Sequence, residues 1–158
     1  MSKPNGWLGA RVYREMMDRM PICTVDILFF NAEKDRVLLG LRRRAPYRGR
    51  YFSLGGRLFK NETLRAAAVR QARTEAGVAV RAPRLVCGGV LNEINPGSIF
   101  RGVNYHAVNV YWGYRLGKSE KLNFQPDDQH SELAWLAVRS PRIHPLVREK
   151  IKNTLPKL

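Results

Sequence analysis

The chain has 158 residues, 44% of them hydrophobic and 26% charged, enough for one domain with its own core and ordinary for a soluble globular protein. It contains no internal repeat, low-complexity tract, signal-peptide core or apolar run of bilayer length, so no spanning helix or secretory leader is expected and the expected location is cytoplasmic. The formal charge of +15, from 28 basic and 13 acidic residues, points to an anionic partner but leaves its kind open. A nucleoside diphosphate in a basic cleft, a nucleic acid on a basic surface and a merely solvated surface are all compatible with it.

In chain order, Trp7 to Met20 places Leu8, Val12 and Met16 on one helical face, which predicts a helix packed on the domain or on a second subunit. Ile22 to Phe30 is rich in β-branched and aromatic residues and reads as a strand buried on both faces. Asp26 interrupts that run; a carboxylate there needs a partner or an opening to a cleft, so a structural hydrogen bond and a substrate contact remain equal readings. Asn31 to Asp35 is turn material and Val37 to Leu41 a second strand. The basic loop from Arg42 to Arg50 follows, punctuated by Pro46 and Gly49.

Tyr51 to Leu54 reads as a short strand that delivers Gly55 and Gly56, where the missing side chain lets backbone approach a cation or phosphate. Asn61 is the expected N-cap of the next helix, with Glu62 in its first turn, Leu64, Ala68 and Ala72 on its inward stripe and Gly77 as a left-handed C-cap. Arg70 lies two turns after Glu62, and a structural ion pair is the expected relation between them. Leu85 to Leu91, Tyr105 to Tyr114 and Leu133 to Val138 read as further strands, and Pro145 to Leu155 as a closing helix with proline in its first turn. His106 is expected to be structural and His144 to cap that helix. Cys23 and Cys87 lack metal-ligand spacing and are expected to be buried, reduced thiols. No nucleic-acid-binding motif is present, so nucleic acid is not the expected partner.

The stretch from Gly56 to Val78, GRLFKNETLRAAAVRQARTEAGV, resembles the Nudix box, G-x5-E-x7-R-E-U-x-E-E-x-G-U with U apolar. Gly56, Glu62, Arg70, Ala72, Glu75, Gly77 and Val78 match, whereas Gln71 and Thr74 stand where two glutamates are expected. Positions 71, 74 and 75 are neighbours on a helix. Three carboxylates there would form an anionic patch for several cations, and one carboxylate suits a single hard cation. The resemblance implies an α/β (α+β) class with the Nudix fold, a mixed sheet sandwiched between helices, spanning residues 1–158 as one domain with residues 1–20 as an N-terminal helical segment.

The run Asp127-Asp128-Gln129-His130 ahead of the last strand is similar to that of the GDP-mannose mannosyl hydrolase branch of the superfamily, which also has an abbreviated glutamate set. That resemblance implies one Mg2+, replaceable by Mn2+, held by the Gly55 carbonyl, Glu75 and Gln129. It assigns His130 as general base, Arg42 and Arg57 to the diphosphate in catalysis and binding, and Asp26 to substrate. The implied reaction is water attack at the anomeric carbon of a GDP-hexose with inversion, giving GDP and free sugar. Glu93 and Ala107 fall where that branch places other side chains near the sugar and phosphate. The implied assembly is a homodimer. A pyrophosphohydrolase that splits the diphosphate, and a degenerate domain that binds nucleotide or RNA without turnover, are the alternatives.

Overall fold

The computed structural model describes residues 6–158; of the expected N-terminal segment, residues 1–5 lie outside the described residues. Three helices, α1 (Ala10–Arg19), α2 (Leu64–Ala76) and α3 (Pro145–Thr154), accompany seven strands. The strands are β1 (Ile22–Phe30), β2 (Arg36–Arg42), β3 (Tyr51–Phe52), β4 (Leu54–Arg57), β5 (Val86–Asn95), β6 (Tyr105–Arg115) and β7 (His130–Ala137). They form one mixed sheet in the order β3-β2-β1-β6-β5, with β4 paired to β1 and β7 to β2. β1 runs parallel to β6 and antiparallel to β2 and β4.

The centre of the sheet is β1, and the period of two along it sorts its side chains between two cores. Val25, Ile27 and Phe29 pack with Leu54, Ala68, Ala72 and Trp112 under α2. Leu28 and Phe30 pack with Val37, Leu39, Ile143, Val147 and Ile151 under α3. The sheet is therefore covered on both faces, which is why β1 reads as a continuous apolar run. Asp26 has the parity of Leu28 and Phe30 and is carried to the α3 face.

Local chemistry explains the helix ends. Gly77 takes φ 66° and donates its N–H back to Ala72 and Arg73 carbonyls, a conformation that costs glycine little. The N-cap of α2 is Thr63, whose hydroxyl accepts from Ala66 N at 3.1 Å, and not Asn61. Asn61 instead takes a left-handed turn at φ 64°, so Glu62 lies just before the helix. The buried side of α2 is Ala67, Ala68, Gln71, Ala72, Glu75 and Ala76; Leu64 is exposed because the later helix start turns it outward. In α1 the packed face is Tyr13 and Met17 at i, i+4, not Val12, which is exposed. Tyr13 meets Phe100 edge-on at 5.8 Å. His144 caps α3, its Nδ1 accepting from Leu146 N at 3.2 Å. Both cysteines are free, but Cys87, on the edge strand β5, is exposed and Cys23 only half-buried.

Candidate active site

A cavity of about 680 Å³ opens between α1, the β4 turn, α2 and the loops after β2 and before β7. Asp26, Arg42, Gly55, Arg57, Glu75 and Gln129, all named from the sequence, line it together. His130 does not; it is fully buried behind that wall.

Strand β4 lies close against β1 where Gly55 stands opposite Asp26 in the β1–β4 register. A Cβ at Gly55 would collide with Asp26 Oδ1 and the Val25 carbonyl. Gly56 faces Gln71 in the same way: with the amide oxygen turned towards it, Gln71 accepts from Gly56 N at 3.0 Å and from Arg70 Nη1 at 3.2 Å. Gln71, one of the two box positions without a carboxylate, thus serves as a neutral clip between β4 and α2. Arg70 itself is held by Glu62 through two parallel bonds, Nε to Oε1 at 2.7 Å and Nη2 to Oε2 at 2.9 Å, and donates to the Arg57 carbonyl at 3.0 Å. The hydrogen bonds from Arg70 and from Phe59 N hold the Glu62 carboxyl below its ordinary range despite partial burial. The Glu62–Arg70 pair is therefore a brace between α2 and the segment that follows β4, as its spacing suggested.

Glu75 is buried on α2, with Oε2 3.0 Å from His130 Nδ1. The two are close without an aligned hydrogen bond, so Glu75 Oε2 and both imidazole nitrogens have no hydrogen-bond partner among the described residues. Room for the ring comes from Gly40 across the β2–β7 pairing, where a Cβ would lie 2.5 Å from His130 Cδ2. Asp127 Oδ1 caps the loop by accepting from Gln129 N at 2.8 Å and His130 N at 2.7 Å. Arg43 N donates to the Gln129 carbonyl at 2.8 Å, and Arg42 Nη1 to Gln129 Oε1 at 3.4 Å. These bonds bring the end of β2 and the start of β7, 87 residues apart, to one side of the cavity. Arg42 keeps a buried Nε with no hydrogen-bond partner among the described residues.

Arg57 is engaged by the N-terminal segment. It donates to the Gly6 and Leu58 carbonyls and lies between the rings of Tyr13 and Phe59, 5.6 and 5.2 Å from their centroids. Asp26 also has partners: Ser53 Oγ donates to its Oδ2 at 2.5 Å, and Lys150 Nζ at 2.8 Å. Lys150 comes from α3 and donates as well to Glu93 Oε1 at 2.5 Å. Lys150 was not singled out from sequence, and Glu93 only as a position where the related branch places another side chain near the sugar and phosphate. A lysine in the last helix and an acid in β5 carry no local signal of meeting Asp26.

The residues fit a divalent cation. Glu75 presents a buried carboxylate oxygen without a hydrogen bond, which is costly unless an opposite charge meets it. Its neighbours on the cavity wall, Gly55 and Gln129, offer the oxygen donors a hard cation takes. A second possible set also converges: ligand atoms of Glu75, Asp127 and His130 lie within 4.8 Å of one another. Glu75 is common to both.

The NUDIX domain model matches residues 20–158. The chain belongs to the Nudix family. It is 30% identical over 146 residues to the low-salt glycan biosynthesis protein Agl8 of Haloferax volcanii, a match that covers 92% of this chain and 89% of that protein. In fold it is similar to a MutT NUDIX hydrolase of Burkholderia pseudomallei, at TM-score 0.68 and 21% identity over 85% of this chain and 98% of the other. It is also similar to the NUDIX domain of Shewanella oneidensis NrtR complexed with ADP ribose, at TM-score 0.63 and 17% identity, covering 92% and 97%. As a Nudix hydrolase the chain departs from the family box only at Gln71 and Thr74, and both substituted side chains line the cavity beside Glu75. Among the described residues no helix is long and apolar enough to cross a membrane.

Proposed function

We propose that this Nudix hydrolase acts on a nucleoside diphosphate sugar, GDP-mannose or a related GDP-hexose. Water attacks the anomeric carbon with inversion, releasing GDP and free sugar. One observation carries the reading: Glu75 is the single carboxylate that α2 presents to the cavity, with neutral Gln71 and Thr74 beside it. That wall suits one cation better than the several that stabilise attack at phosphorus. The name of the Haloferax volcanii relative, a glycan biosynthesis protein, agrees with a sugar-bearing substrate.

In this reading Arg42 and Arg57 orient the diphosphate and offset charge on the departing oxygen, so no general acid is needed. A divalent cation, Mg2+ in this proposal, would be held by Gly55, Glu75 and Gln129 and would supply further positive charge at the diphosphate. His130 takes the proton of the attacking water, a task open to an imidazole nitrogen without a hydrogen-bond partner among the described residues. A second copy of the chain, packed through the N-terminal segment, completes the proposed assembly.

A second reading, hydrolysis of the diphosphate itself, is favoured by a specific observation: His130 is sealed behind Glu75 and does not line the cavity. Incubating the protein and Mg2+ with a panel of nucleotide sugars and separating the products decides between the two. GDP with free hexose supports the first reading. GMP with hexose phosphate overturns it in favour of the second.

A further inference from the structure

The imidazole of His130 is wholly buried, and neither ring nitrogen has a hydrogen-bond partner among the described residues. Buried polar atoms are nearly always satisfied, and one that is not points to an ion, a water or a ligand. Two carboxylates converge on Nδ1: Glu75 Oε2 at 3.0 Å, itself buried and unpartnered among the described residues, and Asp127 Oδ1 at 4.0 Å. Ligand atoms of the three residues all lie within 4.8 Å of one another. Separate pieces of chain supply them: α2 carries Glu75, the loop ahead of β7 carries Asp127, and His130 is the first residue of β7.

These donors suit a different cation from Mg2+. Mg2+ takes oxygen ligands and sheds its water reluctantly, needs that the Gly55, Glu75 and Gln129 oxygens meet. An imidazole beside two carboxylates suits a borderline ion such as Zn2+ or Co2+, which takes nitrogen readily. Zn2+ bonds to imidazole nitrogen and carboxylate oxygen are about 2.0–2.2 Å long, so the donors of a tetrahedral ion stand about 3.4 Å apart. The separations of 3.0 and 4.0 Å found here bracket that spacing. The longer one belongs to Asp127, exposed on its loop, where the shift that a cation asks for is small.

We infer that Glu75, Asp127 and His130 form a second cation site, for Zn2+ or an ion of the same borderline class, whose occupancy shuts the enzyme off. Glu75 cannot serve both ions at once. A neutral imidazole that gives Nδ1 to a cation carries its proton on Nε2 and has no lone pair left for water. The site stands on the geometry of the three side chains, and its inhibitory effect rests on the roles proposed for Glu75 and His130.

Calorimetric titration of the full chain with Zn2+ in the absence of Mg2+, and the visible absorption of Co2+ added in its place, test the site. Zn2+ should bind, and the Co2+ band should be absent from His130→Gln. Asp127→Asn keeps an acceptor for the Gln129 and His130 N–H groups while removing the charge, and should weaken Zn2+ binding at least about 10-fold. Gln129→Ala removes a donor of the Mg2+ set alone and should leave Zn2+ binding within about 2-fold of native. Excess Mg2+ should weaken Zn2+ binding, because both ions need Glu75. In turnover with Mg2+, Asp127→Asn should need at least about 10-fold more Zn2+ for half-inhibition. Where His130→Gln does not fold, Asp127→Asn decides alone. Zn2+ binding that Asp127→Asn leaves unchanged would overturn the site and make Glu75 and His130 a plain ion pair. Binding lost in Gln129→Ala would give Zn2+ to the Mg2+ set and overturn it as well. Binding needs no substrate, so cleavage at phosphorus sinks the proposed reaction and leaves the site standing, whereas absent Zn2+ binding sinks the site alone.

Discussion

Replacing Lys150 by Met keeps the length of the side chain and removes its charge from a site with no exposure to solvent. Asp26 and Glu93 then face each other without the ammonium that bridges them at 2.8 and 2.5 Å. Deleting one side of a buried ion pair costs about 3–5 kcal/mol. For a domain of this size each kcal/mol lowers Tm by about 2–4 °C, so the variant should melt roughly 6–20 °C below the native protein at pH 8. The loss should shrink at low pH. Burial and the Asp26 charge already raise the Glu93 carboxyl above its ordinary 4.5, with Lys150 pulling it back, and without Lys150 it rises further. A group whose folded pKa lies above its unfolded one contributes stability that is complete below the unfolded value and is lost as pH rises through the folded one. Thermal unfolding followed by circular dichroism at pH 5 and pH 8 checks both parts. A Tm within about 2 °C of native at pH 8, or an equal drop at both pH values, would refute the account of this cluster.

Other consequences are simpler. Glu75→Gln should lower kcat about 100- to 1000-fold, with Tm unchanged or raised because Oε2 has no hydrogen bond to lose; full activity would remove Glu75 from the site. Glu62→Ala leaves Arg70 without its paired acceptor and should cost about 1–3 kcal/mol, seen as a fall in Tm. For Glu62 the folded pKa is depressed, so its contribution is present above the unfolded pKa and fades as pH falls through the folded one. His144 is held below its ordinary 6.5 by burial and by the charges of Arg50 and Lys150, and protonation also removes the Nδ1 acceptor that caps α3. Its contribution, about 1 kcal/mol, is present above 6.5 and is lost as pH falls below it. His144→Asn, which caps without titrating, should flatten the change of Tm between pH 5.5 and 7.5.

Features set by neighbours along the chain were legible in the sequence. The glycine cap of α2, the proline start and histidine cap of α3, the two-faced burial of β1 and the Glu62–Arg70 brace all follow from spacing of eight residues or fewer. The N-cap of α2 was misplaced because Asn61 and Thr63 are both competent caps, and Asn61 takes the left-handed turn instead. What sequence did not disclose depends on distant pairing. Lys150 meets Asp26 across 124 positions, and only the sheet register brings Glu93 to the same face. His130 reads as a loop residue, yet its ring is buried in space left by Gly40 on β2. Cys87 reads as core because its stretch looks apolar, and it is exposed on the edge strand β5.

The bond that breaks is the direct test of the reading built on Glu75, Gln71 and Thr74. GDP-mannose turned over in 18O-labelled water should yield labelled mannose and unlabelled GDP, as attack at the anomeric carbon requires. Label in a phosphate, with GMP as the nucleotide product, would contradict it.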